Sequence, residues 1–157
     1  MERRLDEALS MNKAFVREPD QTADYCPRCG SKGLPVGRET IQAHLPAGKT
    51  PTVADPANFC PLPQCNVAYF DAFERVMLAG ELNRPVYPKD PDAPICACFG
   101  LTRQDVEADV REGVVTRVKA IIEKAKSAEA RCTRMAADGQ PCIAAVQKCY
   151  FQCRQGR

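Results

Sequence analysis

Asn58-Phe59-Cys60-Pro61-Leu62-Pro63-Gln64-Cys65-Asn66-Val67-Ala68-Tyr69-Phe70 is the stretch that decides how the first half of this chain folds. Two cysteines bracket a short proline-containing knuckle. The residues after it alternate enough to make a strand, with Val67 and Tyr69 set to pair with Phe59 or Ile41. Some thirty residues upstream lies a second knuckle, Cys26-Pro27-Arg28-Cys29-Gly30. Two pairs of thiolates on tight turns, joined by β-rich chain, suit a tetrahedral Zn(II). Four sulfurs leave no open coordination position, so such a site is structural. A disulfide pair in an oxidising compartment is the alternative. Between the knuckles, Glu39-Thr40-Ile41-Gln42-Ala43-His44-Leu45 reads as a further strand.

The composition favours metal. The chain has 157 residues, with 10 Cys, 13 Pro, 9 Gly, 6 Phe, 4 Tyr and no Trp. Little apolar bulk is left for one large core, and a small module short of core needs staples. The start, Met1 to Glu7, lacks the apolar stretch of a secretory signal, and no run is long enough to span a membrane. The expectation is therefore a cytoplasmic protein with no membrane insertion, where dense cysteines hold metal more often than they form disulfides. A net charge of +2, from 22 basic and 20 acidic residues, gives no field that would recruit nucleic acid. The one histidine, His44, leaves thiolate to hold nearly all of any metal. It stands either as a substitute zinc ligand or as a packing residue.

Working outward, residues 1–20 form an N-terminal extension in which 1–19 have helical periodicity ended by Pro19. Residues 21–83 are the β-rich zinc unit. Residues 84–94, with four prolines in eleven, read as a stiff spacer. Residues 95–157 are helical: Thr102 is an N-cap with Asp105 three residues on, Gly113 closes that helix, and Thr116 caps the next. Pro141-Cys142 opens a third, with Ile143, Val146 and Tyr150 on one side. The fold class is α+β, a small β-rich zinc domain followed by a helical domain.

The helical half carries a second constellation, Cys96-x-Cys98, Cys132 and Cys142. Cys-x-Cys cannot form an ordinary disulfide without strain, and both thiols can reach one metal from a loop tip. With two more cysteines across a helix–turn–helix, the set offers four thiolates to a 2Fe–2S cluster, two per iron. Arg103, Arg131 and Arg134 stand close in sequence to offset its negative charge. A second zinc is the competing reading of the same spacing.

These motifs resemble a known family. Cys96-Ala97-Cys98-Phe99-Gly100-Leu101-Thr102 with two later cysteines is similar to the bacterioferritin-associated-ferredoxin type of 2Fe–2S domain. The nine residues between Cys132 and Cys142 resemble the N-terminal half of the CopZ-type copper chaperones, which couple this cluster domain to a small zinc domain. The knuckle 26–29, the segment 40–44 and the stretch 59–70 resemble that zinc domain in the same order. The resemblance covers roughly residues 24–146. It implies Cys96, Cys98, Cys132 and Cys142 as cluster ligands and Cys26, Cys29, Cys60 and Cys65 as zinc ligands. It also implies a function in copper redox and delivery, with a copper transporter or a redox protein as partner. The family's heavy-metal-associated domain, with its Met-x-Cys-x2-Cys loop, has no counterpart in these residues, which weighs against delivery by that route.

Cys149 and Cys153 remain. At i and i+4 they share one helix face. They are candidates for holding a soft ion such as Cu(I), for a redox-active disulfide, for replacing a cluster ligand, or for unligated packing thiols. No Ser/His/Asp set and no glycine-rich phosphate loop is present, so a turnover site is not expected beyond reduction of Cu(II) by the cluster. A plain 2Fe–2S adaptor and a non-redox zinc-binding module are the competing functions.

Overall fold

A computed structural model describes residues 24–156 of the chain. The expected helix at 1–19 lies outside them. The architecture is α+β: a small antiparallel sheet, then a helical region. The sheet runs in sequence order through β1 (Leu34–Val36), β2 (Ala57–Phe59), β3 (Val67–Asp71) and β4 (Val76–Leu78). Tyr69 faces Phe59 across β2–β3, as the alternation of the quoted stretch predicts, whereas Val67 pairs with Leu78 on β4.

Every residue of β3 is buried, because the strand is covered on both faces. An irregularity between Val67 and Tyr69 shifts the phase of its alternation. Ala68 and Tyr69 therefore join one core with Val36, Ile41, Phe59 and Met77, while Val67 and Phe70 face Cys26, Cys60 and Cys65 on the other side. Gly33 lies against this second face. A Cβ there would come within 2.5 Å of Phe70 Cζ and 2.6 Å of Asn58 Cβ, so no larger residue fits without moving the sheet.

The expected strand at 39–45 is instead a helix, α1 (Arg38–Ala43), led in by extended Gly37. Six residues with a short apolar run satisfy either period, and the β-branched Thr40 and Ile41 pull the reading toward strand. What fixes the helix is tertiary. Both of those residues are buried, and the Thr40 hydroxyl donates to the carbonyl of Thr133, far along the chain.

Asp71 closes the β3–β4 turn. Its buried carboxylate accepts from the backbone N–H groups of Ala54 (2.7 Å), Phe73 (2.8 Å) and Arg75 (3.1 Å), and from Arg75 Nε (2.8 Å). Burial alone would raise its pKa, but these four donors outweigh it and hold the group below the usual carboxylate range. A depressed folded value contributes stability that is fully present above the unfolded value near ~3.9 and is lost as pH falls through the folded one. Asp71→Asn is therefore expected to cost about 2 kcal/mol in urea denaturation at pH 7. The difference between the two proteins should stay constant from about pH 7 to about pH 5 and shrink only below about 4. A difference already shrinking between pH 7 and 5 would show that the carboxylate is not stabilised in this way.

The helical region consists of α2 (Arg103–Glu112), α3 (Thr116–Ala125), the single turn α4 (Cys132–Met135) and α5 (Ile143–Gln155). Thr102 and Asp105 make the expected reciprocal cap of α2, and Gly113 ends it at φ 69°. Thr116, expected as the cap of α3, is its first helical residue. The cap comes from a distance, since Asp109 on α2 accepts from Val118 N at 2.9 Å. Val118, Val106, Val146 and Leu101 form the core of this half with Cys96, Cys142 and Cys149. Cys149, and not Ile143, shares the buried face of α5 with Val146.

Residues 84–94 serve both halves. Val86 belongs to the sheet core, and the next residue, Tyr87, packs on the helical core.

Candidate metal centres

The first centre is assembled from two knuckles and the sheet between them. In the first, Cys26 N donates to Ser31 O (2.8 Å) and Gly30 N to Cys26 O (2.9 Å), with Gly30 at φ 75° turning the chain back. In the second, Cys60 continues from β2 with its N–H on Ala68 O, and Cys65 N donates to Leu62 O. Cys26 Sγ lies 3.9 Å from Cys65 Sγ, and Cys29 Sγ lies 3.5 Å from Cys60 Sγ. The sulfurs of all four lie within 4.8 Å of one another. A tetrahedron of ~2.3 Å zinc–sulfur bonds has edges of about 3.8 Å, so the spacing fits Zn(II).

Burial pushes the Cys60 thiol up to about 12, against the opposing pull of the Leu62 N–H and the Lys89 charge. Burial also opposes ionisation of Cys29. There the side chain and backbone of Ser31, with the Cys60 and Cys26 thiols, outweigh it and bring the group down to about 6. A zinc ion held here would displace the proton of Cys60 while finding Cys29 already close to its thiolate form. Lys89 completes the surroundings, its Nζ donating to Leu62 O (2.6 Å) and Cys65 O (2.9 Å) above the Phe59 ring. Sequence reading did not single out Lys89, because it comes from the proline-rich segment and reaches the knuckle only in three dimensions.

His44 does not join the zinc set. It is fully buried, with Nδ1 2.8 Å from Thr40 O and Nε2 3.1 Å from Met135 O. Burial lowers its pKa, so the neutral ring prevails at neutral pH. It is a packing residue between the halves.

The second set of cysteines comes from three segments of the helical half. Cys96 and Cys98 sit on a closed loop in which Ile95 N and Cys96 N donate to Leu101 O and Gly100, at φ 78°, returns its N–H to Cys96 O. Cys132 opens α4 and Cys142 precedes α5. Cys98 lies near enough to Cys132, and Cys96 to Cys142, to act on its ionisation, but among the described residues only the first four cysteines are gathered within 4.8 Å of one another. Burial raises Cys132, the Cys98 thiol adds to this, and the Cys142 backbone N–H opposes it. Burial and the neighbouring thiols push Cys142 up to about 12. Of the three arginines close in sequence, Arg134 pairs with Glu39 at 3.4 Å, and Arg103 pairs with Glu107 at 3.1 Å and faces Cys149 and Cys153.

The chain between Cys132 and Cys142 docks on the zinc half. Thr133 O accepts from the Thr40 hydroxyl, Met135 O meets His44 and Arg84, and Ala137 O accepts from Tyr69 at 2.6 Å. Ala137 itself enters the sheet core. The nine-residue spacing thus gives the second cysteine set a wall borrowed from the first domain.

Comparison with known proteins fits this division. Residues 23–83 match the family model zf_CopZ, described as a zinc binding domain. This segment is similar to the zinc-binding domain of CopZ type. Copper chaperone CopZ of Archaeoglobus fulgidus is 32% identical over 81 residues, which are 50% of this chain and 39% of that protein. The chain thus spans about two-fifths of that relative's length. The X-ray structure of the A. fulgidus CopZ N-terminal domain superposes with a TM-score of 0.66 at 24% identity, covering 79% of this chain and 95% of that one. The shared fold therefore extends beyond the zinc unit into the helical half. Among the described residues, no helix is long and apolar enough to cross a membrane.

Proposed function

We propose that this chain is a zinc-stabilised iron–sulfur protein of CopZ type, with Cys96, Cys98, Cys132 and Cys142 as ligands of a 2Fe–2S cluster and an electron-transfer role linked to copper redox and handling. The observation that supports this reading is that those four cysteines lie within electrostatic reach of one another, Cys98 near Cys132 and Cys96 near Cys142, in a chain whose residues 23–83 match a zinc binding domain. Two pairs suit a group whose two irons each take two sulfurs. When bound, such a cluster supplies one-electron transfer.

The chain's own residues are suited to hold it. The Cys96–Leu101 loop presents two thiols from one turn, and the docked 133–138 segment fixes the separation of Cys132 from Cys142. The Cys142 N–H favours the ionised form of Cys132 and so would offset negative charge on its sulfur. Cys96 and Cys142 are buried, while Cys98 and Cys132 are partly exposed. The second pair is therefore the side open to a protein partner, either a copper transporter or a redox protein. The zinc domain acts as the scaffold.

The test is iron, zinc and acid-labile sulfide content of protein purified without oxygen, together with its visible spectrum. About two irons, two sulfides and one zinc per chain are expected. Cys98→Ser should lose the colour and the iron while keeping the zinc. Colourless protein with two zincs and no sulfide would overturn the electron-transfer role.

A further inference from the structure

Cys149 and Cys153 lie beyond both sets, on the unbroken helix α5. Cys149 is 2% exposed and packs in the helical core, while Cys153 is partly exposed at its edge. At i and i+4 on this helix the two share one face. Tyr87 packs on the same core as the pair, and Arg103 lies within electrostatic reach of both thiols.

The helix decides what two such thiols can do. At i and i+4 the Cβ atoms stand about 5–6 Å apart. A disulfide needs about 3.5–4.5 Å, so closing one would unwind part of α5. An ion between the sulfurs needs no such approach, because each side chain can swing toward the middle. The donor set also limits the ion. Zinc or a hard cation would want further nitrogen or oxygen ligands, whereas a soft d10 monovalent ion is satisfied by thiolate. Glu107, the carboxylate facing the pair, is held at 3.1 Å by Arg103.

We propose that Cys149 and Cys153 form a two-coordinate bis-thiolate site for a soft monovalent ion, Cu(I). Binding exchanges protons for metal: Cu(I) plus two thiols gives an anionic bis-thiolate complex and two released protons, with no electron moved. The Arg103 guanidinium offsets the resulting charge. Burial, reinforced by the neighbouring thiol, pushes Cys149 up to about 11, so the ion takes the place of a proton on the buried sulfur. Partial exposure of Cys153 gives the ion a way in and out. The pair lies seven residues beyond Cys142, about 10 Å along the helix and close to the same face. The choice of copper among soft ions rests on the function proposed above; the two-thiolate geometry does not.

The experiment titrates anaerobic full-length protein, carrying its own metals, with Cu(I) against an excess of a chromophoric Cu(I) chelator. The wild type should withhold one equivalent that Cys149→Ser/Cys153→Ser does not, with iron and zinc contents equal in the two. Cys153→Ser alone, which leaves the core side of the pair intact, should also lose it. Equal Cu(I) uptake by all three proteins, or uptake matched by displaced zinc or iron, would overturn the site. So would mass spectrometry showing a 149–153 disulfide formed in air with α5 retained. A protein without sulfide that still binds the equivalent at this pair would refute the cluster and leave this site standing.

Discussion

Cys60→Ser is expected to lose zinc and to abolish cooperative unfolding of the sheet domain. Cys60 is fully buried, and its sulfur lies 3.5 Å from Cys29 and within 4.8 Å of the other two ligands. Three sulfurs cannot complete the tetrahedron, and the serine hydroxyl would be buried among apolar neighbours. In small zinc modules, metal binding supplies on the order of 10–16 kcal/mol of apparent folding free energy. That is comparable to the whole stability of a typical domain, about 5–15 kcal/mol. The sheet has only three- and five-residue strands, and one of its two cores consists largely of the cysteines themselves with Val67 and Phe70. It therefore has little to fall back on. Zinc content by elemental analysis and a thermal melt followed by circular dichroism would check this. A variant that keeps one zinc and a wild-type melt would show that four-sulfur coordination does not hold the domain together.

In the helical half the largest effect is expected from Asp109→Ala. Its carboxylate is fully buried and accepts from Arg117 Nη1 and from Val118 N, both at 2.9 Å. Removing it leaves the Val118 N–H buried without a partner and the start of α3 uncapped, a loss of about 3 kcal/mol. Asp109→Asn keeps an acceptor for Val118 and should recover about half of that loss. Arg117 also pairs with Glu112 at 2.7 Å, so its side chain would remain anchored in either variant. Chemical denaturation of both variants measures the difference. Equal losses would mean that the charge on Asp109, and not the cap, supplies the stabilisation.

The residues legible in the sequence were those whose chemistry is local. Cys-x2-Cys and Cys-x4-Cys marked the zinc knuckles because a tight turn must place both thiols on one side. Thr102 with Asp105, and Gly113 ten residues after the helix begins, marked α2 because caps act within one turn. The quoted stretch from Asn58 to Phe70 implied a strand, and β3 formed there with Tyr69 opposite Phe59.

What the sequence did not show depends on partners far along the chain. Residues 39–45 looked like a strand and became α1, because burial of Thr40 and Ile41 and the contact with Thr133 outweigh β-branched preference. The cap of α3 is supplied by Asp109, nine residues before Val118, and no local pattern announces it. Lys89 reaches the second knuckle, and Tyr69 binds the loop before Cys142, across separations of 24 and 68 residues. The sequence by itself determined which atoms can bind metal and roughly where the chain turns, since ligand type and turn geometry are properties of a few neighbouring residues. Tertiary structure alone decided which sulfur adjoins which and which wall each set leans on, because a contact is a property of a distance and the chain does not carry distances in its order.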